Sequence, residues 1–194
     1  MKKENTVLYI LRLTLTLLLI TSLVAAALAG VNAITKDKTA AIQLEKTQKA
    51  MEEVLPGYGA FEACGFEDAT GTVAAVYLPS GNDGEGVRGY PAYVVEVAPA
   101  GFGGDIVMMV GIKDGAVTGV SVVSHAETAG LGAIAADKTE KGVAFRNQFV
   151  GVTTDETVAV SKDGGTIDAI TGATITSRAV ADGINAALAV FIKG

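Results

Sequence analysis

The strongest constraint on how this chain can fold is a long uncharged segment near its N-terminus. No charged side chain occurs from Leu13 to Thr35, a stretch of 23 residues. A helix rises about 1.5 Å per residue, so this segment spans about 35 Å and can cross a hydrocarbon core about 30 Å thick. Basic residues favour the cytoplasmic side of a membrane, and three of them precede the segment: Lys2, Lys3 and Arg12. We therefore predict a cytoplasmic N-terminus at 1–12, a single-pass anchor helix at 13–35 in the cytoplasmic (inner) membrane, and an extracytoplasmic remainder.

A cleavable signal peptide is the alternative interpretation of this segment. Residues 25–30 read AAALAG, which contains the small-residue A-x-A pattern of a cleavage site. The apolar run is longer than the usual core of a signal peptide, and no turn-breaking residue precedes the candidate site. We therefore favour a retained anchor.

The composition excludes several kinds of chemistry. The chain has 194 residues with one Cys and one His. Alone, it therefore cannot form an intrachain disulfide, a four-thiolate zinc or iron–sulfur centre, or a metal centre with two His ligands. Its formal charge of −6 opposes non-specific nucleic-acid binding, which depends on clustered Lys and Arg. Neither a metal site nor a nucleic-acid partner is expected.

Beyond the anchor, we predict a stalk helix at 36–57 and an extracytoplasmic domain at 58–194. Helical spacing of apolar residues indicates a helix over Thr39–Leu55 that continues from the anchor and stops at Pro56. Strands are predicted at Thr72–Tyr77, Ala92–Val97, Asp105–Ile112, Ala116–Val123 and Thr157–Val160, and helices at Lys138–Val150 and Ser177–Ile192.

The connections between these runs fit one fold class. Lys113-Asp114-Gly115 is typical of a hairpin turn, and the polar stretch Pro79–Gly89 of a flexible loop. Strands cluster in the middle of the domain and helices at both ends. The prediction is an α+β fold with a mainly antiparallel sheet and flanking helices.

Two stretches gather small and polar residues where an element begins or ends. Ser124–Gly132 follows a predicted strand, and its glycines can bring the backbone close to a flat ligand. A glycine-rich turn with a surface histidine explains the same pattern. Asp168–Ser177 leads into the last helix, whose free N–H groups favour a phosphate. Ordinary helix capping by Thr176 or Ser177 explains part of this pattern.

A family resemblance adds to both stretches. Asp168-x-x-Thr171-Gly172-Ala173-Thr174 resembles the D-x-x-[ST]-G-A-[ST] acceptor motif of covalent flavin attachment by a flavin transferase. The stretch from Tyr93 through HAETAGLG to Gly132 resembles the G subunit of the Rnf ion-translocating electron transport complex. It is similar, more distantly, to the C subunit of the sodium-pumping NADH:quinone reductase. Ala129 stands where family members usually have Pro. This difference makes the loop less stiff but removes no hydrogen-bonding group.

The resemblance implies a covalently bound FMN and an electron-carrying role. It implies a phosphoester from FMN to Thr174, with the isoalloxazine ring against the earlier loop. The residues implied around the attachment point are Asp168, Thr171, Gly172, Ala173, Thr176 and Ser177, and those around the ring are His125, Glu127, Thr128, Gly130, Leu131 and Gly132.

The implied partners are the other membrane and redox subunits of an Rnf-type complex and, during maturation, the transferase. Such a complex couples electron transfer between ferredoxin and NAD⁺ to movement of Na⁺ or H⁺. This chain is then a redox subunit of the enzyme, without complete activity or catalytic residues of its own.

Three alternative functions are considered together with this interpretation. An anchored flavoprotein of a different reductase relay would share the attachment motif, and a non-catalytic binding or sensory domain would leave Thr174 unmodified. A hydrolase using Ser124 and His125 is disfavoured, because neighbours in an extended segment point to opposite faces.

Overall fold

The computed structural model describes residues 6–64, 71–80 and 91–193. Its contacts divide the chain into two units, Met1–Glu45 and Lys46–Gly194. Most of the predicted polar loop at Pro79–Gly89 lies outside the described residues.

The first element is a helix, α1, over Thr6–Val54. It passes without interruption through the predicted boundary between anchor and stalk, and it ends just before Pro56, as expected. By length and composition it can cross a membrane, and no part of its most apolar stretch is buried within the chain. Threonine hydroxyls in this helix donate hydrogen bonds to the backbone carbonyl one turn earlier; Thr14 Oγ1, for example, donates to Ile10 O at 2.8 Å. These hydroxyls therefore add little polarity to the segment.

The second unit is built on a five-stranded antiparallel sheet in sequential order. Its strands are β1 (Phe61–Cys64), β2 (Val73–Pro79), β3 (Ala92–Val97), β4 (Val107–Lys113) and β5 (Ala116–Ser124). Asp114 and Gly115 have φ of 51° and 79° in the β4–β5 hairpin, the left-handed pair that a two-residue turn requires. The predicted α+β class with an antiparallel sheet is confirmed.

Successive side chains of β3 point to opposite faces of the sheet and contribute to two separate hydrophobic clusters. Tyr93, Val95 and Val97 belong to the larger cluster, together with residues of the two later helices. Val94 belongs to the smaller cluster, which holds the end of α1. Thr118 Oγ1 donates to Val54 O at 2.6 Å, so the last turn of α1 is bonded to β5 as well as packed against the sheet.

The helices α2 (Glu140–Asn147) and α3 (Thr174–Lys193) cover the larger cluster. Both differ from their predicted bounds. Thr139 caps α2 and so delays its start from Lys138. Helix α3 begins three residues before the predicted Ser177, which places the end of the predicted motif inside its first turn.

One strand was not predicted, and one predicted strand is wrong. The short edge strand β1 was missed, and Thr157–Val160 is not a strand. Only Val160 pairs there, in an isolated bridge with Ile167. The neighbouring Val158 exchanges two hydrogen bonds of 2.8 Å with the side-chain amide of Asn185. The side chain of Asn185 in α3 therefore forms the hydrogen bonds that a neighbouring strand would form with Val158 in the predicted sheet.

Candidate functional site

A cleft of about 340 Å³ opens where the two predicted stretches meet. Four lining residues come from the first stretch, five from the second, and two from elsewhere. They are, in that order, Glu127, Thr128, Leu131 and Gly132; Gly172, Ala173, Thr174, Ile175 and Thr176; and Phe102 and Lys162. The volume falls in the range of small-molecule sites.

Thr174 presents its hydroxyl at the start of α3. Ala173 N donates to Ile170 O at 2.9 Å, which closes a turn, and Gly172 has a φ of 78° that a side chain would strain. The half-buried Thr174 follows directly, and its Oγ1 accepts a hydrogen bond from Lys162 Nζ at 3.1 Å. The turn therefore holds a nucleophilic oxygen at the edge of the cleft.

Glu127 joins three segments of the cleft wall. One carboxylate oxygen, Oε1, accepts from Phe102 N at 2.7 Å and from Gly103 N at 3.0 Å. The other, Oε2, accepts from Thr176 Oγ1 at 2.6 Å. Burial raises the pKa of this carboxyl. The hydrogen bonds from Thr176, Gly103 and Phe102, with a smaller contribution from His125, lower the pKa by more than burial raises it, so the resulting pKa lies below the usual value. Glu127 is therefore an anion that fixes the wall.

Gly132 allows the wall to close around that carboxylate. A Cβ at this position would collide with Glu127 Oε2 and lie 2.6 Å from Thr176 Oγ1. The same residue begins a 3₁₀ turn, Gly132–Ala135. Arg146, which is buried, donates from Nη1 to Ala135 O at 2.7 Å and to Asp137 O at 2.9 Å, so a cation inside the domain supports the turn.

Ser177 lies behind the acceptor turn and outside the cleft lining. Its side chain is fully buried. Its Oγ donates to Ala173 O at 2.9 Å and accepts from Ile170 N at 3.0 Å. Because Thr176 bonds Glu127 and Ser177 bonds the turn, neither plays the simple capping role that the sequence also allowed.

Asp168 and Thr171 line a separate cleft of about 540 Å³ together with α2. The backbone of Asp168 is held by the Gln148 amide, whose Oε1 accepts from Asp168 N at 2.7 Å and whose Nε2 donates to Asp168 O at 3.2 Å. The carboxylate of Asp168 is exposed. The predicted acceptor motif is thus divided between two surfaces.

His125 and Gly130 also lie outside the lining of the first cleft. His125 is exposed, and its Nδ1 accepts from Glu127 N at 3.2 Å. It contacts the wall through that backbone group. Gly130 has a φ of 74° in the turn that leads to Leu131.

Sequence reasoning missed three cleft residues: Phe102 and Lys162, which lie outside both predicted stretches, and Ile175, which lies within the second. Phe102 is 68% exposed on the loop whose N–H groups bond Glu127, and the sequence signal that could have found it is an aromatic residue flanked by glycines. Lys162 lies in a short 3₁₀ turn twelve residues before Thr174, and nothing in its local sequence marks it.

These residues fit a phosphorylated flavin. Phe102, Leu131 and Ile175 are exposed large apolar side chains on the rim of the cleft, and a flat aromatic ring system would cover such surface. Lys162 supplies a positive charge beside the hydroxyl of Thr174 for a phosphate. Together the fold and the cleft define a class, an FMN-binding domain that follows an apolar helix. A family model described as an FMN-binding domain matches residues 101–189, a segment that includes every residue lining the cleft.

The similarity of this chain to curated proteins identifies its family. The chain is 34% identical to the G subunit of the ion-translocating oxidoreductase complex of Methanosarcina acetivorans over 92% of this chain and 93% of that protein. It is 31% identical to the G subunit of the Na⁺-translocating ferredoxin:NAD⁺ oxidoreductase complex of Acetobacterium woodii over 94% and 91%. It is 36% identical to the G subunit of the ion-translocating oxidoreductase complex of Aliivibrio fischeri strain MJ11 over 86% and 83%. This chain belongs to the family of G subunits of ion-translocating oxidoreductase complexes.

Proposed function

We propose that this chain carries electrons in an Rnf-type complex through an FMN joined by a phosphoester to Thr174. The observation that carries the proposal is the position of Thr174 Oγ1, at the edge of an apolar-rimmed cleft and 3.1 Å from the Lys162 ammonium. A phosphoester requires a hydroxyl acceptor, and the family model for FMN binding covers this segment.

Each part of the cleft has a role in holding the cofactor. Phe102, Leu131 and Ile175 cover the ring system with apolar surface, and Glu127 keeps the wall rigid through its three hydrogen bonds. When bound, FMN supplies one- and two-electron redox chemistry, and the protein supplies orientation and electrostatics. Glu127 and Leu131 both belong to the HAETAGLG loop, so this loop supplies part of the apolar surface and the carboxylate that holds the wall.

The coupling to ion movement belongs to the assembly. A relative from Acetobacterium woodii is named as part of a Na⁺-translocating ferredoxin:NAD⁺ oxidoreductase complex, and we place this chain in a complex of that class, moving Na⁺ or H⁺. The described residues contain one helix able to cross a membrane. A single helix cannot enclose an ion path, so the path lies in partner subunits.

The domain is placed on the extracytoplasmic side, with α1 as its anchor. A covalent bond suits a flavin on that side, because a dissociated cofactor would be lost from the cell. A flavin transferase would form the bond during maturation from an activated flavin donor: Thr174 Oγ1 would lose its proton and bond to the flavin phosphate, and the donor's activating group would leave from the same phosphorus. Thr174 lines the cleft and is half-buried, so we expect the transferase to reach its hydroxyl in the folded domain.

The proposal is tested by the mass of the full chain produced with a flavin transferase. Thr174→Ala should abolish the added mass of FMN and the flavin fluorescence on a denaturing gel, while Thr174→Ser should retain both because the hydroxyl survives. Thr157→Ala is the matched control, since Thr157 is exposed and outside the cleft lining. FMN on the Thr174→Ala chain would falsify the attachment site.

The same preparation separates the rival functions. A wild-type chain without flavin would favour a binding or sensory domain. A flavinylated chain that never co-purifies with multi-helix membrane subunits would favour a separate reductase relay. Flavinylation together with such subunits is the result we expect.

A further inference from the structure

A groove of about 240 Å³ lies between the last turns of α1, the end of β5 and the residue before the cap of α2. Helix α1 contributes residues spaced i, i+3, i+4 and i+7, which form one face of a helix. They are Lys46, Lys49, Ala50 and Glu53. The other lining residues are Ser121, Val122, Val123 and Lys138. None of these residues lines the cleft beside Thr174, so this basic groove is a separate surface.

The basic groove is positively charged on a domain that is acidic. From Lys46 to Gly194, ten basic side chains against eighteen acidic ones give a formal charge of −8. The groove contains three of these ten basic side chains and one acidic side chain. Lys46 and Lys138 are both exposed there. Such a local concentration of positive charge is complementary to a partner of negative charge.

The one carboxylate of the basic groove, that of Glu53, is engaged by the domain itself. Its Oε2 accepts a hydrogen bond from Ser121 Oγ at 2.9 Å. Burial lowers the pKa of the nearby Arg146, and the charge of Glu53 opposes that decrease, so these two groups also interact. Glu53 is therefore balanced within the domain, and Lys46 and Lys138 keep their charge for an external partner.

The basic groove also contains part of the edge of the sheet. Strand β5 is the last strand in the sheet order. The start of its outer edge is covered, because Val117 N donates to Val152 O at 2.9 Å and Val117 O accepts from Gly151 N at 2.8 Å. Farther along, Ser121–Val123 bonds to no backbone other than that of β4 within the described part of the chain. An uncovered strand edge is a template for pairing with an extended chain.

We infer that the basic groove receives an extended acidic segment of a partner subunit, which pairs with the edge of β5 and places carboxylates beside Lys46 and Lys138. The inference rests on the proposed function, because it requires the other subunits of the complex. The strand edge favours a protein over an anionic lipid headgroup, since a headgroup has no row of backbone N–H and C=O groups to pair with it.

The first test measures how well the assembled complex stays together. The tagged full chain is produced with the other subunits and a flavin transferase, and the subunits retained in mild detergent are quantified. Lys46→Glu combined with Lys138→Glu should reduce retention about tenfold, because both side chains would then repel the acidic segment. Lys46→Arg combined with Lys138→Arg should preserve it. Full retention in the charge-reversed chain overturns the inference.

A matched control and a milder variant separate docking from folding. Lys113→Glu reverses an exposed lysine outside the groove and should leave retention unchanged. Thermal melts and intact mass show whether each variant is folded and carries flavin. If the charge-reversed chain melts early, Lys46→Gln combined with Lys138→Gln is used instead and should still lower retention about threefold. Full retention in that folded chain overturns the inference as well.

Hydrogen exchange tests the strand pairing. Amides of Ser121–Val123 should exchange about tenfold more slowly in the complex than in the isolated full chain, because new backbone bonds protect them. The amide of Val117 is already bonded to Val152 O and should exchange equally slowly in both. Equal exchange at Ser121–Val123 in the two preparations overturns the pairing.

A photo-reactive phenylalanine analogue in place of Lys138 identifies the occupant of the groove. A cross-link to an acidic stretch of another subunit of the complex supports the inference. A cross-link to lipid or to a second copy of this chain overturns it, and so does the absence of any cross-link in the intact complex.

Failure of this inference is separable from failure of the proposed function. A chain that carries FMN at Thr174 and keeps all subunits after charge reversal rejects only the docking of an acidic segment. A wild-type chain that carries no flavin, but whose subunits are lost on charge reversal, rejects only the flavin attachment.

Discussion

Glu127 joins more segments of the cleft wall than any other single side chain described in it. It accepts hydrogen bonds from the loop of Phe102 and from Thr176 of α3, and within its own loop it leaves no room for a side chain at Gly132. Removing a buried, hydrogen-bonded acceptor leaves its donors without partners, which costs about 1–3 kcal/mol in typical cases. The wall therefore depends on this one carboxylate.

Stability of the domain should depend on pH through Glu127. Its pKa is lower in the folded chain than the usual 4.5, so its contribution is complete above that value and is lost as the pH falls through the folded pKa. Glu127→Gln should lower the thermal midpoint at pH 7 and flatten the loss of stability between pH 5 and pH 3. Thermal melts of the full chain in detergent across this range check the prediction.

Glu156→Gln is the control for that experiment, because Glu156 is exposed and outside the cleft. It should melt like wild type at every pH. Equal acid sensitivity of the Glu127→Gln and wild-type chains would contradict the role assigned to Glu127.

Sequence reasoning at this scale reached the residues of the motifs but not their partners. Thr174 and Glu127 lie in local patterns that can be compared with those of a family. Lys162 reaches Thr174 only because a short turn is attached to α3 by Asp163 and Arg178, and the pairing of distant segments leaves no local signal. The split of Asp168 from Thr174 into different clefts is hidden for the same reason.

At the scale of elements, the start of α3 is the feature that organises the site. The helix begins at Thr174 because the turn before it is closed by the buried hydroxyl of Ser177. The sequence placed the helix start at Ser177, since serine is a common N-cap. A serine inside the first turn of a helix that bonds the preceding turn cannot be distinguished by local sequence from a serine at the N-cap, but the helix then begins three residues earlier.

Ser177→Ala should therefore weaken both the fold and the loading of flavin. Ile170 N would lose its buried partner, at a cost of about 2 kcal/mol, which corresponds to a decrease of roughly 5 °C in Tm for a domain of this size. Thr174 would also be presented less rigidly, so covalent loading should slow. Thermal melts and a time course of intact mass measure the two effects.

Ser80→Ala provides the comparison, since Ser80 is exposed at the end of β2 and outside both clefts. A Ser177→Ala chain that melts and loads like Ser80→Ala would remove the support for this account of the helix start.

The strands illustrate which parts of a sheet a sequence can predict. Runs of β-branched residues identified β2 to β5, because these strands alternate sides or are buried on both. The edge strand β1 has only four residues, FEAC, too few to show a period. The run at Thr157–Val160 has the composition of a strand, but Asn185 bonds both backbone groups of Val158, and composition cannot reveal a partner from another element.

At the scale of the whole molecule, the chain combines an apolar helix with an acidic domain that contains the cleft. Family membership and the FMN-binding segment account for the domain, and α1 is long and apolar enough to cross a membrane. We propose that the domain lies on the extracytoplasmic side, because basic residues precede the apolar segment. This orientation is a proposal that a labelling experiment can decide.

We expect a cysteine in the domain to be accessible from outside intact cells and one at the N-terminus to be protected. In a Cys64→Ser background, Asp155→Cys should react with a membrane-impermeant maleimide, because Asp155 is exposed in the second unit. Thr6→Cys should react only after the cells are opened. The reverse pattern would place the flavin on the cytoplasmic side and remove the physical reason for a covalent bond. The mass of the same chain tests the anchor, since cleavage after the A-x-A pattern would shorten it and release the labelled domain from the membrane.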